Sequence, residues 1–217
     1  MKKTVVPFER HEMALTAPKC MYSVSLSTDE HRYGRMLTGF AWAKSNFSDV
    51  LTYLGDGFLL ETTLRMTGTP ADLVPGQASA LGARAEQDLR GIQPAARFWR
   101  ASESAADPDF REHHDAVRAA YTGDLSLRDS IDSDARAYIE RLTRNSRLQL
   151  PPDVATGLAI DYIVFEIAGY SLLSSRGYIV DVYASGSGEL PTLEKFMLGQ
   201  LHGFPQLQQR ACIILGT

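Results

Sequence analysis

The feature that most constrains this chain is a mostly apolar run at residues 154–173, broken by Asp161, Tyr162 and Glu166. Pro151-Pro152-Asp153 supplies a helix start and Gly177 a stop, so the run reads as a helix buried in the core. Tyr162 and Glu166 are four residues apart and therefore share one helix face, one turn apart. A carboxylate in such surroundings needs a partner, because an unpaired buried charge is costly. The pair has two readings. It is a hydrogen bond stitching two elements together, or a polar pair facing a pocket and able to hold a substrate amine.

The chain has 217 residues, 44% hydrophobic and 22% charged, which fits one globular domain spanning 1–217 with a sizeable core. The charges inside the apolar run argue against a membrane span. The start, Met1-Lys2-Lys3, is basic but lacks the apolar core of a secretory signal. Cys20 and Cys212 make neither a disulfide framework nor a metal-ligand spacing, so no metal and a cytoplasmic location are expected. A formal charge of −4 argues against a protein that coats nucleic acid, while leaving room for a local basic face.

Residues 20–26 read as a short strand or an extended lead-in, and the compact apolar run 36–42 as a strand buried on both faces. Ser48 or Asp49 then caps a helix through Leu54, and 58–66 is a second strand. A helix at 77–92 precedes a third strand at 96–101. Asp107-Pro108 starts a helix to about Tyr121, and 127–145 continues helical. Strands at 178–183 and 210–215 flank a flexible turn at 185–188 and a helix begun by Pro191. Short apolar strands alternating with helices predict a Rossmann-like α/β fold, a five-stranded parallel sheet flanked by helices.

In such sheets the ligand crevice lies beyond the carboxyl ends of the strands, where the strand order reverses. Two loops are candidates, 41–48 and 183–188. Tyr183 ends a strand, a place for a proton-handling phenol or for a residue capping the sheet edge. Neither a Gly-x-Gly-x-x-Gly turn nor a Gly-x-x-x-x-Gly-Lys loop is present, which argues against a nucleotide-binding enzyme on this topology.

These residues resemble the tRNA-dependent cyclodipeptide synthases from about Met21 to the C-terminus. Gly157 to Glu166 resembles the family's helix motif of a Tyr and a Glu four apart. Tyr183 matches its third active-site position. Gly39-Phe40-Ala41-Trp42-Ala43-Lys44-Ser45-Asn46-Phe47-Ser48 resembles its Gly-x-Ser-x-x-Asn-Ser-x-Phe-Ser signature, and Asp107-Pro108 one of its helix starts. The resemblance implies a fold similar to the catalytic domain of class I tyrosyl- and tryptophanyl-tRNA synthetases, aminoacyl-tRNA as partner, and no cofactor. It also implies a relay. A Ser takes the first aminoacyl group, an amide forms with the second aminoacyl-tRNA, and the dipeptide cyclises with a Tyr shuttling protons.

In this register Ala41 stands at the nucleophilic Ser, Lys44 where Asn is frequent, and Ala184 where His or Pro follows the Tyr. Tyr162 and Glu166 are expected to hold the substrate ammonium and Tyr183 to move protons. Gly39, Phe40, Trp42, Lys44 and Ser45 are expected around the substrate, with Lys44 either a nucleophilic amine or a phosphate contact. Arg84, Arg90, Arg97 and Arg100 stand where the family carries a basic, tRNA-binding helix. Arg136, Arg144 and Arg147 share one side of a later helix, with Arg141 off it. Ala41 leaves three readings open: a Ser-to-Ala form of such a synthase, direct transfer of the aminoacyl group to a small amine or amino-acid acceptor, or a binder of charged tRNA without catalysis.

Overall fold

The structure is a computed structural model that describes residues 3–26, 30–104, 106–184 and 190–216. Six strands form one sheet: β1 (Lys3–Val6), β2 (Lys19–Ser25), β3 (Asp49–Gly55), β4 (Arg97–Arg100), β5 (Val180–Tyr183) and β6 (Ala211–Leu215). Their order is β1-β6-β5-β2-β3-β4, parallel throughout except for β1, which pairs antiparallel with β6. The helices are α1 (His11–Thr16), α2 (Glu30–Asn46), α3 (Phe58–Met66), α4 (Val74–Ile92), α5 (Ala101–Ser104), α6 (Pro108–Gly123), α7 (Leu125–Arg144), α8 (Pro152–Ser175), α9 (Pro191–Met197) and α10 (Pro205–Gln208).

Alternation along the strands sorts the core into two halves. Cys20, Tyr22 and Val24 of β2 face one side with Val182 and Ile213, under Phe40 of α2 and Leu89 of α4. Met21, Leu51 and Tyr53 face the other side, under α8 and the helices around it. The same parity puts Ser23, Ser25, Asp181 and Tyr183 on the α8 side. By length and composition alone α8 could cross a membrane, but most of it is buried inside the fold. It packs against α3, α6, α7 and α10, which is why its sequence is apolar nearly all round.

The expected Rossmann-like sheet is present, but with six strands in place of five and not wholly parallel, because residues 3–6 add β1 antiparallel at the β6 edge; the short strand at 20–26 is β2, and those expected at 96–101, 178–183 and 210–215 are β4, β5 and β6. The helices expected at 77–92, 127–145 and after Pro151 and Pro191 are α4, α7, α8 and α9. Asp107 caps α6, its side chain accepting from the backbone N–H groups of Asp109 and Phe110. Three elements differ. Residues 36–42 lie inside α2, 58–66 is α3, and the helix expected at 49–54 is strand β3. In α2 the buried Met36, Phe40 and Ala43 recur at helical spacing, and Leu59, Thr63 and Met66 do so in α3. The run from Val50 to Leu54 is buried on both sides, as a central parallel strand requires. The turn expected at 185–188 lies outside the described residues.

Candidate active site

The strand order reverses between β2 and β5, the two strands that lead to opposite edges of the sheet. A narrow cleft opens there, between the carboxyl ends of β2, β3 and β5 and the face of α8. Register fixes its floor: Ser23 stands opposite Tyr53 on one neighbour and Tyr183 on the other, and Ser25 opposite Gly55. From α8 come Tyr162, Glu166 and Tyr170, spaced four apart on one face. Thus Tyr162, Glu166 and Tyr183, singled out in the sequence, line one cleft together with Ser25.

Tyr162 is half-buried, its ring 5.9 Å from that of Tyr138, whose hydroxyl lies 3.2 Å from Thr63 Oγ1. Burial holds the Tyr162 phenol well above its usual range, and the negative charge of Glu166 pushes the same way. Tyr162 is therefore a neutral hydroxyl beside a carboxylate, a pair matched to an ammonium. Tyr183 ends β5 with its hydroxyl 2.6 Å from that of Tyr170. Tyr53 is a further group that the sequence reading missed, because 49–54 read as a helix. Its side chain is 2% exposed, and its hydroxyl has no hydrogen-bond partner among the described residues. Burial, then the Glu166 carboxylate, raise its phenol as well.

The residues expected from the 39–48 segment are elsewhere. Ala41 is in α2, not after a strand, and does not line the cleft. Gly39 sits where α2 approaches the end of β5: a Cβ there would lie 2.7 Å from the Ala184 Cβ and from the Tyr22 hydroxyl oxygen. Phe40 is fully buried against Tyr22, with ring centroids 5.6 Å apart. Trp42 packs on Phe47 under the Lys3 ammonium. Lys44 is half-buried in the last turn of α2, and Ser45 donates to the Ala41 carbonyl at 2.9 Å. The strand that feeds the first loop is β2, and the residue at its carboxyl end is Ser25.

The four arginines expected to meet tRNA each face a carboxylate. Arg84 lies 4.0 Å from Asp88, Arg90 2.8 Å from Glu86 and Arg97 2.9 Å from Asp49. Arg100 lies 2.6 Å from Asp56 and 3.0 Å from Glu86. Arg136, Arg141, Arg144 and Arg147 are exposed and, among the described residues, form no ion pair. The Arg141 guanidinium lies 5.0 Å from the centre of the Tyr138 ring, which in turn stacks on Tyr162.

A mostly parallel sheet with a cleft at its switch point, walled by a buried Tyr–Glu helix, is a Rossmann-like α/β domain of the class I synthetase kind. A tyrosyl-tRNA synthetase of Archaeoglobus fulgidus complexed with L-tyrosine superposes on it with a TM-score of 0.59 and 14% identity, over 97% of this chain and 59% of that one. More fully, the chain has the fold of the cyclodipeptide synthases. The enzyme from Staphylococcus haemolyticus matches with a TM-score of 0.78 and 12% identity, over 100% of this chain and 98% of that one. A cyclodipeptide synthase from Candidatus Glomeribacter gigasporarum, bound to Phe-tRNAPhe, matches with 0.63 and 13%, over 99% and 94%. At these identities the likeness is one of fold. No family model and no curated protein matches the sequence.

Proposed function

We propose that this chain makes cyclic dipeptides from two aminoacyl-tRNAs, with Ser25 as the acyl carrier. The observation that carries this reading is the shared cleft: Ser25, at the end of β2, faces the same space as Tyr162, Glu166 and Tyr183. The family's Gly-x-Ser then corresponds to Ser23-Val24-Ser25, with Ser in place of the Gly, and the Ser-to-Ala reading at Ala41 is no longer needed.

An aminoacyl-tRNA is an activated ester, so its acyl group transfers without ATP. The Ser25 hydroxyl attacks the ester carbonyl and the tRNA ribose oxygen leaves with a proton. Glu166 and Tyr162 hold the aminoacyl ammonium meanwhile. The amine of the Ser25-bound group, once deprotonated, attacks the ester of a second aminoacyl-tRNA; its bond from acyl carbon to ribose oxygen breaks, the second tRNA leaves with the amine's proton, and a dipeptidyl ester remains on Ser25. The terminal amine of that dipeptide then attacks the Ser25 ester. The ring closes, Ser25 is released, and Tyr183 carries the proton from nitrogen to the Ser25 oxygen. The buried Tyr53 hydroxyl, without a partner among the described residues, supplies a hydrogen bond to a bound carbonyl or amine. Cys20 and Cys212, both buried and in no disulfide among the described residues, fit a reducing cytoplasm, where charged tRNA is found. The tRNA phosphates are met by Arg141, Arg144 and Arg147, which have no carboxylate partner among the described residues; Arg141 adjoins the Tyr138–Tyr162 side of the cleft.

The test is incubation with a pool of charged tRNAs and mass spectrometry of products and protein. Cyclic dipeptides and an aminoacyl adduct on the intact chain are expected. Ser25→Ala removes both, while Ala41→Ser leaves both unchanged. An adduct that survives in Ser25→Ala, or cyclic dipeptide made by that variant at the parent's rate, excludes Ser25 as carrier. Amide formed with an added small amine in place of cyclic dipeptide identifies direct transfer instead.

A further inference from the structure

Behind the cleft, Tyr183 connects to a fully buried ion pair. Its hydroxyl lies 2.6 Å from the Tyr170 hydroxyl, which donates to Ser23 Oγ at 3.2 Å. Ser23 Oγ donates to both Asp181 oxygens, at 2.8 and 3.0 Å. Asp181 faces Arg210 at 3.4 Å, both side chains being 0% exposed. Arg210 also donates to Ser174 Oγ at 3.1 Å, and its guanidinium lies 4.5 Å from the centre of the Tyr170 ring. A charged pair this deep needs further hydrogen bonds to stay ionised, and Ser23 and Ser174 supply them.

The line has a direction. The Asp181 carboxylate, ionised beside the guanidinium, only accepts, and each hydroxyl has a single proton. The Ser23 proton is committed to Asp181, so Ser23 can only accept from Tyr170. With the Tyr170 proton donated to Ser23, the donor in the Tyr183–Tyr170 hydrogen bond is Tyr183. The Tyr183 oxygen then presents lone pairs, not a proton, to the cleft.

We infer that Ser23, Tyr170 and Asp181 are positioning residues that hold Tyr183 as a proton acceptor toward the substrate amine. This rests on the synthase reading above. During ring closure the nitrogen–carbon bond forms and the bond from the acyl carbon to the Ser25 oxygen breaks. The amine proton passes to the Tyr183 oxygen. Tyr183 hands its own proton to Tyr170, Tyr170 to Ser23, and Ser23 to Asp181. The reverse shift gives a proton from Tyr183 to the departing Ser25 oxygen. The amine's proton ends on Ser25, and Asp181 ends ionised as it began.

Two readouts test this on the full chain. In kinetics, Ser23→Ala and Tyr170→Phe each lower kcat for cyclic dipeptide roughly ten- to hundredfold, with KM for charged tRNA within about twofold. Ser23→Thr, which keeps the hydroxyl, restores most of the rate. In NMR of protein carrying 13Cζ-tyrosine, with Tyr183 assigned through Tyr183→Phe, its phenol titrates at higher pH in Tyr170→Phe, because the phenolate loses the Tyr170 hydroxyl, which in the parent turns from Ser23 to donate to it once Tyr183 is deprotonated. A Tyr183 titration that coincides with the parent's in that variant overturns the inference, as does a kcat within twofold of the parent in both substitutions. If the parent makes no product from charged tRNA, the synthase reading falls, and the Tyr183 titration still decides whether the line exists.

Discussion

His113 illustrates how burial sets behaviour one residue at a time. Its Nδ1 lies 2.8 Å from Ser171 Oγ, which also accepts from Gln206 Nε2 at 2.6 Å. Desolvation lowers its pKa, and Arg176 adds to this against the opposing pull of Glu112, Asp109 and Asp107. The unfolded chain therefore takes up this proton first as pH falls. The contribution to stability is full above the unfolded value of about 6.5 and is lost as pH falls through the folded value below it. We expect the parent to lose more melting temperature between pH 7 and pH 5 than His113→Gln does. Equal losses would mean that His113 is accommodated in its charged form. Legibility at this scale followed burial as well. Tyr162 and Glu166 were readable because polar residues in an apolar helix need a reason. Tyr53 was not, because a tyrosine in a strand is ordinary until its hydroxyl is found buried and without a partner among the described residues.

At the scale of the element, α8 contains two glycines with opposite expected responses to the same substitution. Gly157 is exposed, and a Cβ there meets nothing within 4 Å. Gly157→Ala therefore gains helix propensity alone and stabilises by up to about 1 kcal/mol. A Cβ at Gly169 would lie 2.9 Å from the Tyr53 hydroxyl and 3.3 Å from the Trp99 ring. The gain of about 1 kcal/mol is outweighed there by overpacking of roughly 1–3 kcal/mol, and the movement of Tyr53 reaches the cleft. Thermal unfolding distinguishes them: Gly157→Ala melts at or above the parent, Gly169→Ala below it and with reduced activity. A Gly169→Ala protein as stable and active as the parent would show that Tyr53 has room to move. Elements whose ends carry strong signals, such as Asp107-Pro108 for α6 and Pro151-Pro152 for α8, were legible in the sequence. Short apolar runs without such ends were not. Residues 36–42 and 49–54 exchanged identities because a short apolar run fits a buried strand and a helix face alike. That exchange put the first candidate loop at Ala41, inside α2, and left the end of β2, where Ser25 stands, out of the reading. Buried Met36, Phe40 and Ala43, four and three apart, held the helical signal.

For the whole molecule the proposed function raises the question of how a chain of net charge −4 would bind a polyanion. Overall charge opposes the encounter, so affinity must come from a local surface and must be sensitive to salt. On α4 and β4 the arginines are matched by Asp49, Asp56, Glu86 and Asp88, a mixed surface with little positive field. At the end of α7, Arg141, Arg144 and Arg147 have only Glu140 near them in sequence, and Arg141 lies beside the Tyr138–Tyr162 stack that leads into the cleft. Removing one arginine–phosphate interaction lowers the slope of log affinity against log salt by roughly 0.7–0.9. Replacing Arg141, Arg144 and Arg147 together by Ala is therefore expected to weaken binding of charged tRNA at low salt and to flatten that slope by about two units. Replacing Arg84 and Arg90 by Ala is expected to leave the slope within about half a unit of the parent, measured by filter binding across a salt series. The opposite pattern would assign tRNA to α4 despite its paired arginines, with the carboxylates released on binding. An unchanged slope in both variants would leave the aminoacyl end, held by Glu166 and Tyr162, as the main source of affinity.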